Sequence, residues 1–168
     1  MPKTYEPIAT VTASGSSSTL NFTSIPSTYT DLRLVANLRS ADSRSGYQSV
    51  SFTYNGSTTS LYSGTIVYGN GTSALSYRQT ASVIEGLVSM NGLASGLFLP
   101  NILDIMNYSN TTTFKTTLVS MGGAGLGAYK QVNTYRSTAA ISSIKIEEAS
   151  ALNWIAGSTA TLYGIKAA

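Results

Sequence analysis

Apolar and polar residues alternate along most of this chain with a period of two, the signature of strands that bury one face. Leu32, Leu34, Ala36 and Leu38 alternate with Arg33, Val35, Asn37 and Arg39, the clearest such run. Val50, Phe52 and Tyr54 alternate with Ser49, Ser51 and Thr53, and Leu20 and Phe22 with Thr19, Asn21 and Thr23. Ile144 and Ile146 alternate with Ser143, Lys145 and Glu147, and Ala160, Leu162 and Gly164 with Thr161, Tyr163 and Ile165. β-branched and aromatic residues fill these runs, as a half-buried pleated surface favours. The pattern predicts about ten strands, at 5–13, 18–24, 31–40, 47–55, 62–69, 74–89, 97–108, 113–121, 128–136 and 140–148, and a final one at 158–166. No helical period competes with it; the stretch 147–156 has room for a single helical turn.

Turn chemistry separates the runs. Asn55-Gly56, Asn70-Gly71 and Asn91-Gly92 supply the positive φ of tight turns. Asn70-Gly71 lies between Ile66-Val67-Tyr68 and Leu75-Ser76-Tyr77, which predicts a hairpin. Ser14 to Ser18 is a loop too short to link domains, and Met121 to Ala128 is a glycine-rich stretch that reads as a pliable loop. Many short strands at even spacing predict an all-β fold, an antiparallel β-sandwich of jelly-roll type. The 168 residues fit one domain, 1–168, with 1–6 as an N-terminal arm ahead of Pro7.

Composition narrows the chemistry. There is no cysteine, hence no disulfide framework or thiolate, and no histidine, the commonest general base and metal ligand. Charged residues make up 10% of the chain, against roughly 25% in ordinary globular proteins. Serine and threonine fill more than a quarter of it, so solubility rests on hydroxyls, and little charge repels a neighbouring protein. The net charge of +3 comes from basic residues scattered between Lys3 and Lys166, with only Arg33, Arg39 and Arg44 near one another. That is too thin for a nucleic-acid interface. Met1 to Tyr5 has no secretory apolar stretch, and no apolar run nears the roughly 20 residues of a membrane helix. Neither membrane nor nucleic acid is expected as a partner.

Candidate chemistry is sparse. Ser142 and Lys145 have Ser-X-X-Lys spacing, but an alternating strand would turn them to opposite faces. Glu147 and Glu148 are neighbours and diverge for the same reason, which rules them out as a glycosidase pair. Asp104 sits inside the apolar run Ile102 to Met106, either as an outward carboxylate paired with an arginine such as Arg33 or as an acid of raised pKa in a groove. No cluster of acids suits calcium, and the glycine-rich stretch lacks a phosphate-loop ending. No enzyme activity, cofactor or metal is expected. Tyrosine is the remaining signal. Tyr47, Tyr54, Tyr62, Tyr68 and Tyr77 crowd one third of the chain, and Trp154 is its only tryptophan. Such rings serve strands and protein interfaces, and they also stack on sugars.

Three stretches carry a resemblance. Tyr135 to Ile144 followed by Ala156-Gly157-Ser158-Thr159-Ala160-Thr161-Leu162-Tyr163-Gly164-Ile165-Lys166 resembles the ending of small virion proteins of tailed bacteriophages. Tyr5-Glu6-Pro7-Ile8-Ala9 with Phe22 to Leu32, and Asp104 to Thr112, are similar to their start and middle. The resemblance implies a β-sandwich structural protein of the virion, made in the host cytoplasm, a capsid decoration (cement) protein or else a tail or fibre component. It further implies a homotrimer, with the major capsid protein or other virion proteins as partners. In a tail or fibre component the tyrosine group would grip a host glycan. The closing motif itself reads as fold chemistry. Leu162 and Gly164 face inward, Gly164 admits a close neighbour, and Ala156-Gly157 turns into the last strand.

Overall fold

The computed structural model describes residues 4–44, 46–89, 94 and 96–166. Among these the chain forms 12 strands and no helix. In order they are β1 (Tyr5–Thr12), β2 (Thr19–Phe22), β3 (Asp31–Leu38), β4 (Tyr47–Tyr54), β5 (Tyr62–Gly69) and β6 (Ala74–Ala81). Then come β7 (Ile84–Ser89), β8 (Leu99–Met106), β9 (Lys115–Gly123), β10 (Gly127–Tyr135), β11 (Ile144–Glu148) and β12 (Thr159–Ile165). They make two antiparallel sheets, one of eight strands in the order β1-β12-β3-β8-β9-β10-β5-β6 and one of four in the order β2-β11-β4-β7.

Eight of these strands are a jelly roll. The four-strand group β1-β12-β3-β8 shares one core with β2-β11-β4-β7, and among these eight the chain changes sheet between β1 and β2, β2 and β3, β3 and β4, β7 and β8, β8 and β11, and β11 and β12. This is the double Greek-key wrapping of that architecture. The other four strands are two insertions. Hairpin β5–β6 lies between β4 and β7 in sequence, and hairpin β9–β10 follows β8. β9 pairs with β8 and β10 pairs with β5, so the hairpins prolong the large sheet.

Alternation decides what fills the core. Leu32, Leu34, Ala36 and Leu38 of β3 are all fully buried, as are Leu103 and Ile105 of β8 and Leu162 of β12. Val50 and Phe52 of β4 and Ile144 and Ile146 of β11 meet them from the small sheet. Gly164 is required where it stands, because a Cβ there would lie 2.3 Å from the Tyr29 ring. Gly157, at φ +92°, makes the turn ahead of β12.

Several sequence expectations need correction. The run 74–89 is two strands, β6 and β7, and they belong to different sheets. The glycine-rich stretch is no pliable loop. Gly122 and Gly123 pair with Ala128 and Gly127 in the β9–β10 ladder, leaving only Ala124 to Leu126 as the turn. Gly122 is extended with positive φ, and a Cβ there would meet the Gly127 carbonyl oxygen at 2.3 Å, so side chains would block this close hairpin. The proposed arm is, from Tyr5 on, a strand of the chain's own sheet: Tyr5 pairs with Ile165 and Glu6 with Gly164. Asn70-Gly71 does make the β5–β6 hairpin. Asn55-Gly56 makes its positive-φ turn, closed by the Ser57 amide on the Tyr54 carbonyl, but that turn ends β4 without making a hairpin. The Asn55 amide oxygen accepts hydrogen bonds from the Ser142 and Ser143 amides. That pins 140–143 outside the ladder, so the strand there starts at Ile144. The stretch 147–156 holds a turn, with the buried Glu148 carboxylate accepting from the amides of Ser150 and Leu152. Asn91-Gly92 lies outside the described residues.

Candidate functional site

The tyrosine-rich third of the chain divides into two groups. Tyr54 and Tyr62 are buried and pack with Tyr135, Tyr62 stacked on it at 4.9 Å and Tyr54 edge-on at 5.6 Å. The Tyr62 hydroxyl accepts from the Tyr54 amide at 2.8 Å, and the Tyr54 hydroxyl bonds Thr117 at 2.9 Å. These rings tie the β5–β6 insertion to β4, and burial raises both hydroxyls, that of Tyr62 to about 12. Trp154 is also fully buried, its backbone bridged to Ser40. None of the three offers a ring to a partner, which corrects their place among the candidate contacts.

Tyr47, Tyr68 and Tyr77 come together elsewhere, joined by Tyr129. They arrive from β4, β5, β6 and β10, four separate strands. The meeting point is where the small sheet ends at its edge strand β7 and the prolonged large sheet continues past it. Ile84 and Gly86 of β7 are buried, so alternation turns Glu85 away from the core, toward the passing hairpins. The result is a half-enclosed cavity of about 180 Å³, walled by the four tyrosines with Ser49, Glu85, Met121 and Gln131.

Hydrogen bonds organise this cavity. Tyr68 and Tyr129 stack in parallel at 4.8 Å and 9°, so each ring covers one face of the other. The Tyr129 hydroxyl donates to that of Tyr47 at 3.5 Å. Gln131 donates to the Glu85 carbonyl at 3.1 Å and accepts from Asn133, which fixes its amide. Tyr47 and Tyr77 remain 44% and 46% exposed, so their rings keep free surface. Burial, followed by the neighbouring Tyr47 hydroxyl, pushes the Tyr129 hydroxyl up to about 12. Burial first and the Glu85 carboxylate second raise that of Tyr77. At neutral pH both are therefore protonated and can donate as well as accept.

Glu85 stands out among the seven acids. Arg33 holds Asp104 at 2.5 Å, Arg44 holds Asp42, Lys145 holds Glu147 and Lys166 holds Glu6. Asp31 accepts from the Asn107 amide, and Glu148 caps its turn. Among the described residues the Glu85 carboxylate has no such partner, and no basic residue lines the cavity. Asp104 is thus the arginine-paired acid of the two readings, and its hydrogen bond raises the Arg33 guanidinium above its ordinary value. Ser142 and Lys145 do not meet: Lys145 bonds Glu147 at 2.6 Å, and Ser142 donates to Asn55.

A second surface is the outer face of the large sheet. Register places Asp104, Leu118, Val132 and Thr65 in one cross-strand row, and Ile102, Ser120, Lys130 and Val67 in the next. Val67, Leu118 and Val132 are 51%, 41% and 45% exposed, around a shallow groove of about 360 Å³. Isolated exposed valines are ordinary, but a contiguous group with hydroxyls and little charge suits a protein contact.

Sequence reasoning found Tyr47, Tyr68 and Tyr77 but missed Glu85, Tyr129 and Gln131. One local signal existed, an acid inside the apolar run Ile84 to Val88. Tyr129 and Gln131 give no local sign, because only the β5–β10 pairing brings them to the site. Among the described residues no group of three potential metal-ligating side chains occurs, and no helix is long and apolar enough to cross a membrane. No protein-family model, curated protein or solved structure matches this chain.

Proposed function

We propose that this chain is a structural protein of a tailed-phage particle, a capsid decoration protein that stabilises the shell by protein–protein contact. The observation behind this reading is the outer face of the large sheet. There Val67, Leu118 and Val132 lie exposed among hydroxyls; Arg33 and Asp104 neutralise one another, and Lys130, bonded to the Ser120 hydroxyl, is the remaining charge of the groove. Such a face gains from burial against protein and has little charge to desolvate. The jelly roll adds an analogy, since that architecture serves viral capsid and lectin domains, though a fold alone assigns no function. The partners in this reading are further copies of the chain, as a homotrimer, and the major capsid protein.

Light scattering across a dilution series tests it. The expected species has three times the 17.6 kDa chain mass and binds capsids assembled without it. Leu118→Lys with Val132→Lys places unpaired charge in the contact and should weaken association about tenfold or more at unchanged melting temperature. A wild-type chain that stays monomeric at every concentration and leaves bare capsids bare overturns the reading.

A further inference from the structure

We propose that the tyrosine cavity is a sugar-binding site, which takes a single pyranose unit at the end of a glycan through Glu85 and the rings of Tyr47 and Tyr77. This goes beyond the particle reading and stands or falls separately from it. Four observations carry the inference.

Convergence is the first. Tyr47, Tyr68, Tyr77 and Tyr129 come from four strands and meet around one hollow. Tyr68 and Tyr129 occupy one face of each other, which holds that wall rigid, while Tyr47 and Tyr77 keep free faces. A pyranose presents a patch of C–H groups that packs on such a face as any apolar surface would.

Glu85 is the second. Each of the other six carboxylates is bonded to a cation, a hydroxyl or a backbone amide, whereas Glu85 meets no such group among the described residues. A carboxylate accepts only, through two oxygens, and adjacent sugar hydroxyls offer two donors at matching spacing.

The third is the kind of polar group around it. The wall carries the Ser49 hydroxyl and the tyrosine hydroxyls, which donate and accept, beside a Gln131 amide already held by the Glu85 carbonyl and Asn133. A polyol can satisfy groups of both kinds. A quaternary ammonium would suit the rings and the charge but has no hydrogen-bonding atoms, and it would leave those hydroxyls unpaired on desolvation.

Size is the fourth. At about 180 Å³ the cavity is smaller than the roughly 300–1,000 Å³ of sites that swallow a drug-sized ligand. It therefore suits one ring, with the rest of a glycan left in solvent.

The test uses the full chain and saturation-transfer NMR with the methyl glycosides of glucose, galactose, mannose and N-acetylglucosamine, and with tetramethylammonium as the competing cation. Tyr77→Ala, Glu85→Gln and the distant exposed Tyr5→Ala are measured in parallel, with melting temperatures for all. The expected result is transfer to at least one glycoside at millimolar concentration. It should weaken about tenfold or more in Tyr77→Ala and in Glu85→Gln and stay unchanged in Tyr5→Ala. No transfer to any glycoside overturns the proposal. So does transfer that survives both cavity variants, or a preference for tetramethylammonium that Glu85→Gln abolishes.

Discussion

The jelly roll and its two-hairpin extension are built from the same alternation yet fill their inner faces differently. Where two sheets oppose each other, most inward positions are aliphatic or phenylalanine, with Leu34, Leu103 and Leu162 on one side and Val50, Phe52 and Ile146 on the other, and Asn101, Tyr54 and Glu148 as the buried exceptions. Past the edge strand β7 the large sheet loses its opposing layer. There polar side chains enter the inner face, Thr117, Gln131 and Asn133, with Tyr62, Tyr68, Tyr77 and Tyr129 beside the buried Ile66 and Val119. A face covered only in part must tolerate water, and tyrosine and amide side chains do so because each has an apolar body and a polar end. The core of this protein is where a second sheet is present, and its candidate binding site is where that sheet stops.

The sharpest way to test the contrast is to hollow out both regions. Phe52→Ala removes a fully buried ring between the sheets and should cost about 3–5 kcal/mol of unfolding free energy in urea titrations. Ile66→Ala, on the extension and buried outside the main core cluster, should cost about 2 kcal/mol, the low end for such truncations, since surroundings without a second packed sheet can collapse into the space more readily. Equal losses would mean that the extension is packed as tightly as the jelly roll.

Backbone proximity gives the next effect. Gly164→Ala pushes a methyl group into the Tyr29 ring and should cost about 1–3 kcal/mol. Pairing it with Tyr29→Ala should recover part of that loss. A double variant whose losses simply add would show that Tyr29 is not the obstacle.

Alkaline titration reaches the junction between the two regions. Tyr54 and Tyr62 have folded pKa values raised above the ordinary 10.0, so the folded state holds their protons more tightly than the unfolded one. The stability linked to them is complete below pH 10.0 and is lost as pH rises, with Tyr62 titrating at about 12. Thermal midpoints should therefore fall steeply above pH 10.0, and Tyr54→Phe with Tyr62→Phe should flatten that slope. An unchanged slope would place the alkaline sensitivity elsewhere. The smallest effect belongs to the open end of the extension. Leu75, 52% exposed on β6, should tolerate Leu75→Ser within about 0.5 kcal/mol.

Much of this was legible in the chain itself. The period-two runs at Leu32 to Leu38, Val50 to Tyr54 and Ala160 to Ile165 are strands. Leu32, Leu34, Ala36, Leu38, Val50, Phe52, Tyr54, Ala160 and Leu162 are buried as the alternation says, although Thr53 is buried too and Val35 is exposed. Asn70-Gly71 is a hairpin because its turn chemistry is local. Legibility ended where a strand's surroundings mattered. The run 74–89 hides a change of sheet, since alternation continues on either side of Ser82 and Val83. The glycines at 122, 123 and 127 look like a loop in composition but sit in a ladder. Tyr54 continues the apolar face of Val50 and Phe52, but nothing in the sequence sets Tyr62 apart from Tyr68 and Tyr77, and burial separates them.

The sequence by itself thus determined the class of fold, the face of each strand that turns inward and the absence of histidine and cysteine chemistry. Periodicity and composition are properties of neighbouring residues. Tertiary structure alone decided that eight strands wrap as a jelly roll, that two hairpins prolong one sheet and that Glu85 meets Tyr47, Tyr68, Tyr77 and Tyr129. Those outcomes depend on which distant strands share hydrogen bonds, and alternation, identical for every possible partner, carries no record of that choice.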